Sequence, residues 1–169
     1  MFGRWLRGET APQSSGADAL RRSIAEQLPG ADPETVSVVT SMAGLLGAVA
    51  YADRDYSAAE EARVREELSR VNGMSAAGID AICAALRQHI VEVSTVQIPR
   101  YARALVELAD VELRREVLSA LIDLAAADSS ISVAETNLLR QITKSLGLSQ
   151  DDYVELQARH RQHLDSLKG

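Results

Sequence analysis

One short acidic stretch occurs twice and limits what this chain can fold into. Asp53-Arg54-Asp55-Tyr56-Ser57-Ala58-Ala59-Glu60 returns in the second half as Asp128-Ser129-Ser130-Ile131-Ser132-Val133-Ala134-Glu135. Each copy follows an Ala-rich apolar run, Gly47-Ala48-Val49-Ala50-Tyr51-Ala52 in one and Ile122-Asp123-Leu124-Ala125-Ala126-Ala127 in the other. Ser with Glu three residues on is a capping box: the hydroxyl accepts from the third helical N–H, and the Glu reaches back to the N–H of the Ser. The repeated unit is therefore helix, acidic turn, helix start. Asn72-Gly73-Met74-Ser75 and Gly147-Leu148-Ser149 extend the match into the next turn with one insertion. The pattern predicts an all-α, single-domain bundle of about seven to eight helices, made of two pseudo-symmetric helix-turn-helix halves.

The remaining punctuation agrees with helices throughout. Residues 1–16 close with Pro, Ser and Gly, lack continuous periodicity, and are expected to be a flexible tail ahead of a domain spanning 17–169. That tail holds the only Trp and the only Phe, and Phe2, Trp5 and Leu6 with Arg4 and Arg7 could form one amphipathic turn. Leu20, Ile24 and Leu28 share a helical face that stops before Pro29-Gly30. Asp32-Pro33 supplies an N-cap and a first-turn proline for a helix to about Ala52, expected to bury Val38, Met42, Leu45 and Val49. Gly44 and Gly47 inside it each cost about 1 kcal/mol relative to Ala, which points to close crossings by other helices. Further helices are expected from Ser57, Ser75, Pro99, Asp110, Ser132 and Ser149, with Gly147 left-handed at a helix end. Val91 to Ile98 is β-branched, but a lone strand would be unstable, so it reads as a helix end plus linker.

Composition narrows the function. A net charge of −6 gives no overall attraction for nucleic acid or an anionic membrane, and favours cations or basic surfaces on a protein partner. Cys83 is the single cysteine and sits in an apolar run, as a buried small hydrophobe would. The most lipid-like run, Met42 to Ala52, is shorter than the roughly 20 residues of a spanning helix. A cytoplasmic protein without a transmembrane segment is expected. There is no Gly-rich phosphate loop, nucleophile elbow or Cys–His arrangement, so an enzyme is not expected. His160-x-x-His163 has ligand spacing but is flanked by Arg159 and Arg161, and reads as a solvated helix face.

The acidic turns are where chemistry beyond capping is expected. Asp53 and Asp128 stand at helix C-termini, where the macrodipole is negative and a carboxylate is unfavourable unless it meets a cation or the donors of the next turn. Should the halves pack together, Asp53, Asp55, Glu60, Asp128 and Glu135 would present five carboxylates at one end. Neutralisation could come from a hard divalent cation such as Ca²⁺, Mg²⁺ or Mn²⁺. It could equally come from Arg54, Arg140 and Lys144 in a metal-free, co-chaperone-like interaction scaffold. The turn is not an EF-hand: Ala58 replaces the required Gly, and Val64 stands where the bidentate Glu belongs.

Together, the Ala-rich helix ending in Asp, the Ser-x-x-Glu helix start and Leu146-Gly147-Leu148-Ser149 resemble the TerB-type domain of tellurite-resistance proteins, over roughly residues 33–165. The resemblance implies an all-helical cytoplasmic domain with internal pseudo-symmetry. It also implies clustered acidic residues that bind a divalent metal, and a part in stress-response or membrane-associated complexes, peripheral to the inner membrane face. By position it reaches Asp53, Glu60, Asp128 and Glu135. The family usually has Gly after the Asp; here Arg54 and Ser129 stand there, and Arg54 brings a cation that would compete with a metal.

Overall fold

Asp32, Ser57, Ser75, Asp110, Ser132 and Ser149 each cap a helix, and these caps punctuate the whole chain. A computed structural model describes residues 15–127 and 130–169, with Lys168 by its backbone alone. Its helices are α1 (Gly16–Gln27), α2 (Pro33–Ala50), α3 (Ala58–Ser69), α4 (Ala76–Thr95), α5 (Ile98–Leu108), α6 (Val111–Ala125), α7 (Val133–Ser145) and α8 (Gln150–Lys168). No strand occurs among the described residues. The proposed tail, Phe2 and Trp5 included, lies outside them.

α2 is the hub. It packs against α1, α3, α4, α5 and α6, while α6 packs in turn against α7 and α8. Its 18 residues are apolar enough to cross a membrane, but 67% of that span is buried inside the bundle, as suits a core helix. The two interior glycines mark close crossings, as expected. A Cβ on Gly44 would run into the Tyr101 ring of α5, and one on Gly47 would lie 3.0 Å from Leu86 Cδ2 of α4. At both positions an alanine would not fit without movement.

Some details differ from expectation. α2 buries Val36, Val39, Leu45, Leu46 and Val49, whereas Val38 and Met42 are only half-buried. A helix apolar on nearly every side does not announce which side faces in. α4 continues through most of the β-branched stretch to Thr95, with non-helical angles at His89 where Gly16 of α1 packs against it. On α5, Leu105 is buried and Leu108 is exposed. Gly147 is left-handed (φ 69°), and the amides of Gly147 and Leu148 donate to Lys144 and Thr143, a Schellman ending of α7. The hydrophobic core runs continuously from Ala17 to Leu156.

Candidate functional site

The first acidic turn leaves α2 with Tyr51 and re-enters helix at Ala58. Ser57 completes the capping box: its Oγ accepts from Glu60 N at 3.3 Å, while Glu60 Oε2 accepts from Ser57 N at 2.8 Å and from Ser57 Oγ at 2.9 Å. Asp53 and Asp55 are exposed and Glu60 is half-buried. Between the aspartates, Arg54 is the one described non-glycine residue with positive φ (65°), and its N–H donates to Tyr51 O at 2.8 Å. A left-handed position costs an L-residue about 1–2 kcal/mol and suits glycine. The glycine usual there in the resembling family thus has a backbone reason, and Arg54 departs from it under strain.

The second turn begins α7 in the same way, with one difference. Ser132 Oγ accepts from Glu135 N at 3.1 Å, and Glu135 Oε2 accepts from Ser132 N at 2.8 Å. The Ser132 hydroxyl hydrogen, however, goes to Asp53 Oδ1 of the other turn at 3.1 Å. The two turns therefore meet. A depression of about 160 Å³ beside them is lined by Tyr51 and Arg54 from the first turn and by Ala134 and Leu138 of α7. Asp128 lies outside the described residues. Among those described, no three Asp, Glu, His or Cys side chains form a group able to hold a metal. Nor does Arg54, Arg140 or Lys144 form an ion pair with another described residue.

Ion pairing concentrates elsewhere. Glu61, buried on α3, takes Arg87 of α4 through three contacts of 2.6 to 2.9 Å and Arg65 at 3.2 Å. Burial alone would raise its carboxyl, but the hydrogen bonds from Arg87 and Arg65 outweigh that and hold it below the usual range. Glu67 is also buried, and has Arg70 at 3.1 Å. There burial wins and pushes the carboxyl up, against Arg70 and with help from Asp123 and Glu66.

His160 is not on a solvated face. It is half-buried, and its Nδ1 meets Asp123 Oδ1 of α6 at 2.6 Å, while His163 is exposed. A carboxylate partner calls for Nδ1 as the donor, and Nε2 is buried with no hydrogen-bond partner among the described residues. The pair locks α8 onto α6. Sequence spacing could not have shown it, since the partner is 37 residues away on another helix.

Comparison with known proteins follows the same residues. The family model for tellurite resistance protein TerB matches residues 39–158, well over half of the chain. The chain belongs to the TerB family. No curated protein and no solved structure matches it. The TerB match takes in both acidic turns, from Asp53 to Glu135, and ends inside α8. In this TerB-family chain the donors at the turns are all oxygens, the type that a hard divalent cation takes. Glu60 and Glu135 each hold one oxygen on their own cap, and Asp53 holds one on Ser132. The donor type suits such an ion, but the described residues by themselves assemble no group of three that could hold one.

Proposed function

We propose that this TerB-family domain is a non-enzymatic, stress-response-type binding module. Its acidic end takes a hard divalent cation (Ca²⁺, Mg²⁺ or Mn²⁺) through Asp53, Asp55, Glu60, Asp128 and Glu135, and it acts through a partner protein. The observation that carries this reading is the Ser132–Asp53 hydrogen bond, which draws the two repeated turns to one place. Asp53 and Asp55 are exposed there, open to an ion or to basic groups of a partner.

The chain's own residues do the positioning. Ser57 and Ser132 fix Glu60 and Glu135 at the third positions of α3 and α7, where the positive helix ends favour anions. Asp53 lacks that advantage, being at the negative end of α2, and gains it only from Ser132 or from a cation. The cation would supply the charge that lets several carboxylates lie close together. Residence in the cytoplasm, with any membrane contact made through partners, belongs to the same reading.

Calorimetric titration of chelator-stripped protein with Ca²⁺, Mg²⁺ and Mn²⁺ tests it. Saturable uptake that is lost in Asp53→Asn plus Asp128→Asn supports the reading. No uptake at millimolar metal, or uptake indifferent to both substitutions, removes it.

A further inference from the structure

A cavity of about 120 Å³ lies where α1, α2 and α5 meet. Arg21 of α1 and Arg100 of α5 stand on its wall, with the hydroxyl residues Ser37, Thr40 and Ser41 of α2. No described carboxylate lines it. Tyr101 completes the wall, its ring seated against Gly44. Burial pushes the Tyr101 phenol up to about 12, so at neutral pH it brings no negative charge. In a chain of net charge −6, a recess lined by two guanidiniums and no acid is a local inversion of sign.

Neither guanidinium is neutralised by the described residues. Arg21 is half-buried and makes no ion pair with any of them; it donates to Ser37 Oγ and, at 3.4 Å, to Pro33 O. Holding a cation partly out of water without a countercharge is costly. Arg100 has only Asp18, at 3.9 Å, and that carboxylate already accepts from Ser15 at the cap of α1. Arg100 is also the third residue of α5, whose cap residue Gln97 makes no side-chain hydrogen bond. The positive end of that helix is thereby left without a side-chain acceptor. Thr40 and Ser41 give their hydroxyl hydrogens to Val36 O and Ser37 O, at 2.6 and 2.8 Å. The Ser37 hydroxyl accepts from Arg21, and its own hydrogen has no acceptor among the described residues.

We propose that this cavity binds a small free oxyanion of the phosphate class, held between Arg21 and Arg100 with the Ser37 hydroxyl as a further donor. Guanidiniums present paired N–H donors, which match a tetrahedral oxyanion better than a spherical halide. The volume suits one such ion and is well below the roughly 300 Å³ at which pockets for drug-sized ligands begin. The site uses no residue of the acidic turns, so it does not depend on cation binding there.

Amide NMR spectra of the ¹⁵N-labelled, chelator-stripped full chain, titrated with inorganic phosphate and separately with sodium chloride of equal ionic strength, test this. Phosphate should give saturable shifts at Ala17, Arg21, Ser37, Arg100 and Tyr101 that chloride does not reproduce. Arg21→Gln and Arg100→Gln should each weaken binding roughly tenfold or more, the loss of one charge-assisted contact. Arg22→Gln makes the same charge change on α1 but outside the cavity, and should leave the affinity unchanged. Ser37→Asp sets a carboxylate against Arg21 while keeping both arginines, and should abolish binding with helical circular dichroism unchanged. If Arg21→Gln or Ser37→Asp loses helix, Arg100→Gln, whose side chain is exposed, decides. No saturation at millimolar phosphate, affinity unchanged in Arg100→Gln, or equal weakening by Arg22→Gln overturns the proposal. So does retention on phosphatidic-acid vesicles without uptake of the free ion, which would put a lipid headgroup at the arginines instead.

Discussion

Ser132 of α7 donates its hydroxyl hydrogen to Asp53, 79 residues earlier in the chain, at 3.1 Å. Its counterpart Ser57 gives the same hydrogen to its own capping partner, Glu60, at 2.9 Å. Two capping boxes of the same type thus do different things. One closes on itself, and the other ties the helix it caps to the turn after α2. Losing Ser132 should therefore cost more than losing Ser57. A cap is worth about 1 kcal/mol, and an exposed hydrogen bond to a charged group adds about 0.5 kcal/mol. Urea unfolding in chelator should place Ser132→Ala below Ser57→Ala. A double-mutant cycle with Asp53→Ala should show coupling for Ser132 and none for Ser57.

Arg54 offers the reverse case, a substitution that should stabilise. Its φ of 65° is left-handed, and the side chain makes no ion pair with another described residue. Arg54→Gly should raise stability by about 0.5–1 kcal/mol, the relief of strain less the extra freedom of glycine in the unfolded chain. Thermal melts of the two proteins check this. A lower melting temperature for the glycine variant would mean that the guanidinium makes a contribution larger than the strain.

Gly44 and Gly47 predict a graded pair. Alanine is the better helix former by about 1 kcal/mol, but at Gly44 the new methyl meets the buried Tyr101 ring. Gly44→Ala should destabilise by about 2–3 kcal/mol, an overpacking effect. Gly47→Ala meets the ends of two flexible side chains, Leu86 at 3.0 Å and Ile90 at 3.4 Å, which can rotate away, and should be much milder. Equilibrium unfolding of both variants gives the order.

Glu61 and Glu67 should respond to pH with opposite signs. Glu61 has a lowered carboxyl, so its stabilisation is present above the ordinary Glu value and disappears as pH falls through the folded value. Glu61→Gln should cost about 1–2 kcal/mol near neutral pH, discounted because Arg87 is exposed, and little in acid. Glu67 has a raised carboxyl, so the folded state binds the extra proton, and stability falls as pH rises through its folded value. Relative to wild type, Glu67→Gln should therefore gain stability as pH rises from acid to neutral. Unfolding curves across that range separate the two.

Much of this architecture is legible in the residues themselves. Caps at Asp32, Ser57, Ser75, Ser132 and Ser149, the Gly147 ending and the two packing glycines depend on chemistry within one turn or on the size of one side chain. The rotation of α2 was not legible, because apolar residues on most of its surface give no direction to the core; hence Val39 and Leu46 lie inside and Met42 only partly so. The His160–Asp123 pair was not legible either. Its formation depends on how α8 lies on α6, and His160 looks solvent-facing when only Arg159 and Arg161 are considered. At the acidic turns, repetition indicated the residues that cap α3 and α7, but only packing brings Ser132 to Asp53.

The central claim is that both turns together hold one cation. Substoichiometric Mn²⁺ added to ¹⁵N-labelled, chelator-stripped protein tests this most directly, because a bound paramagnetic ion broadens nearby amides. The account predicts early, selective loss of signals from residues 53–60 and 130–135 together, abolished by Asp53→Asn plus Asp128→Asn. Broadening confined to one turn, centred elsewhere, or spread evenly over the surface would contradict it.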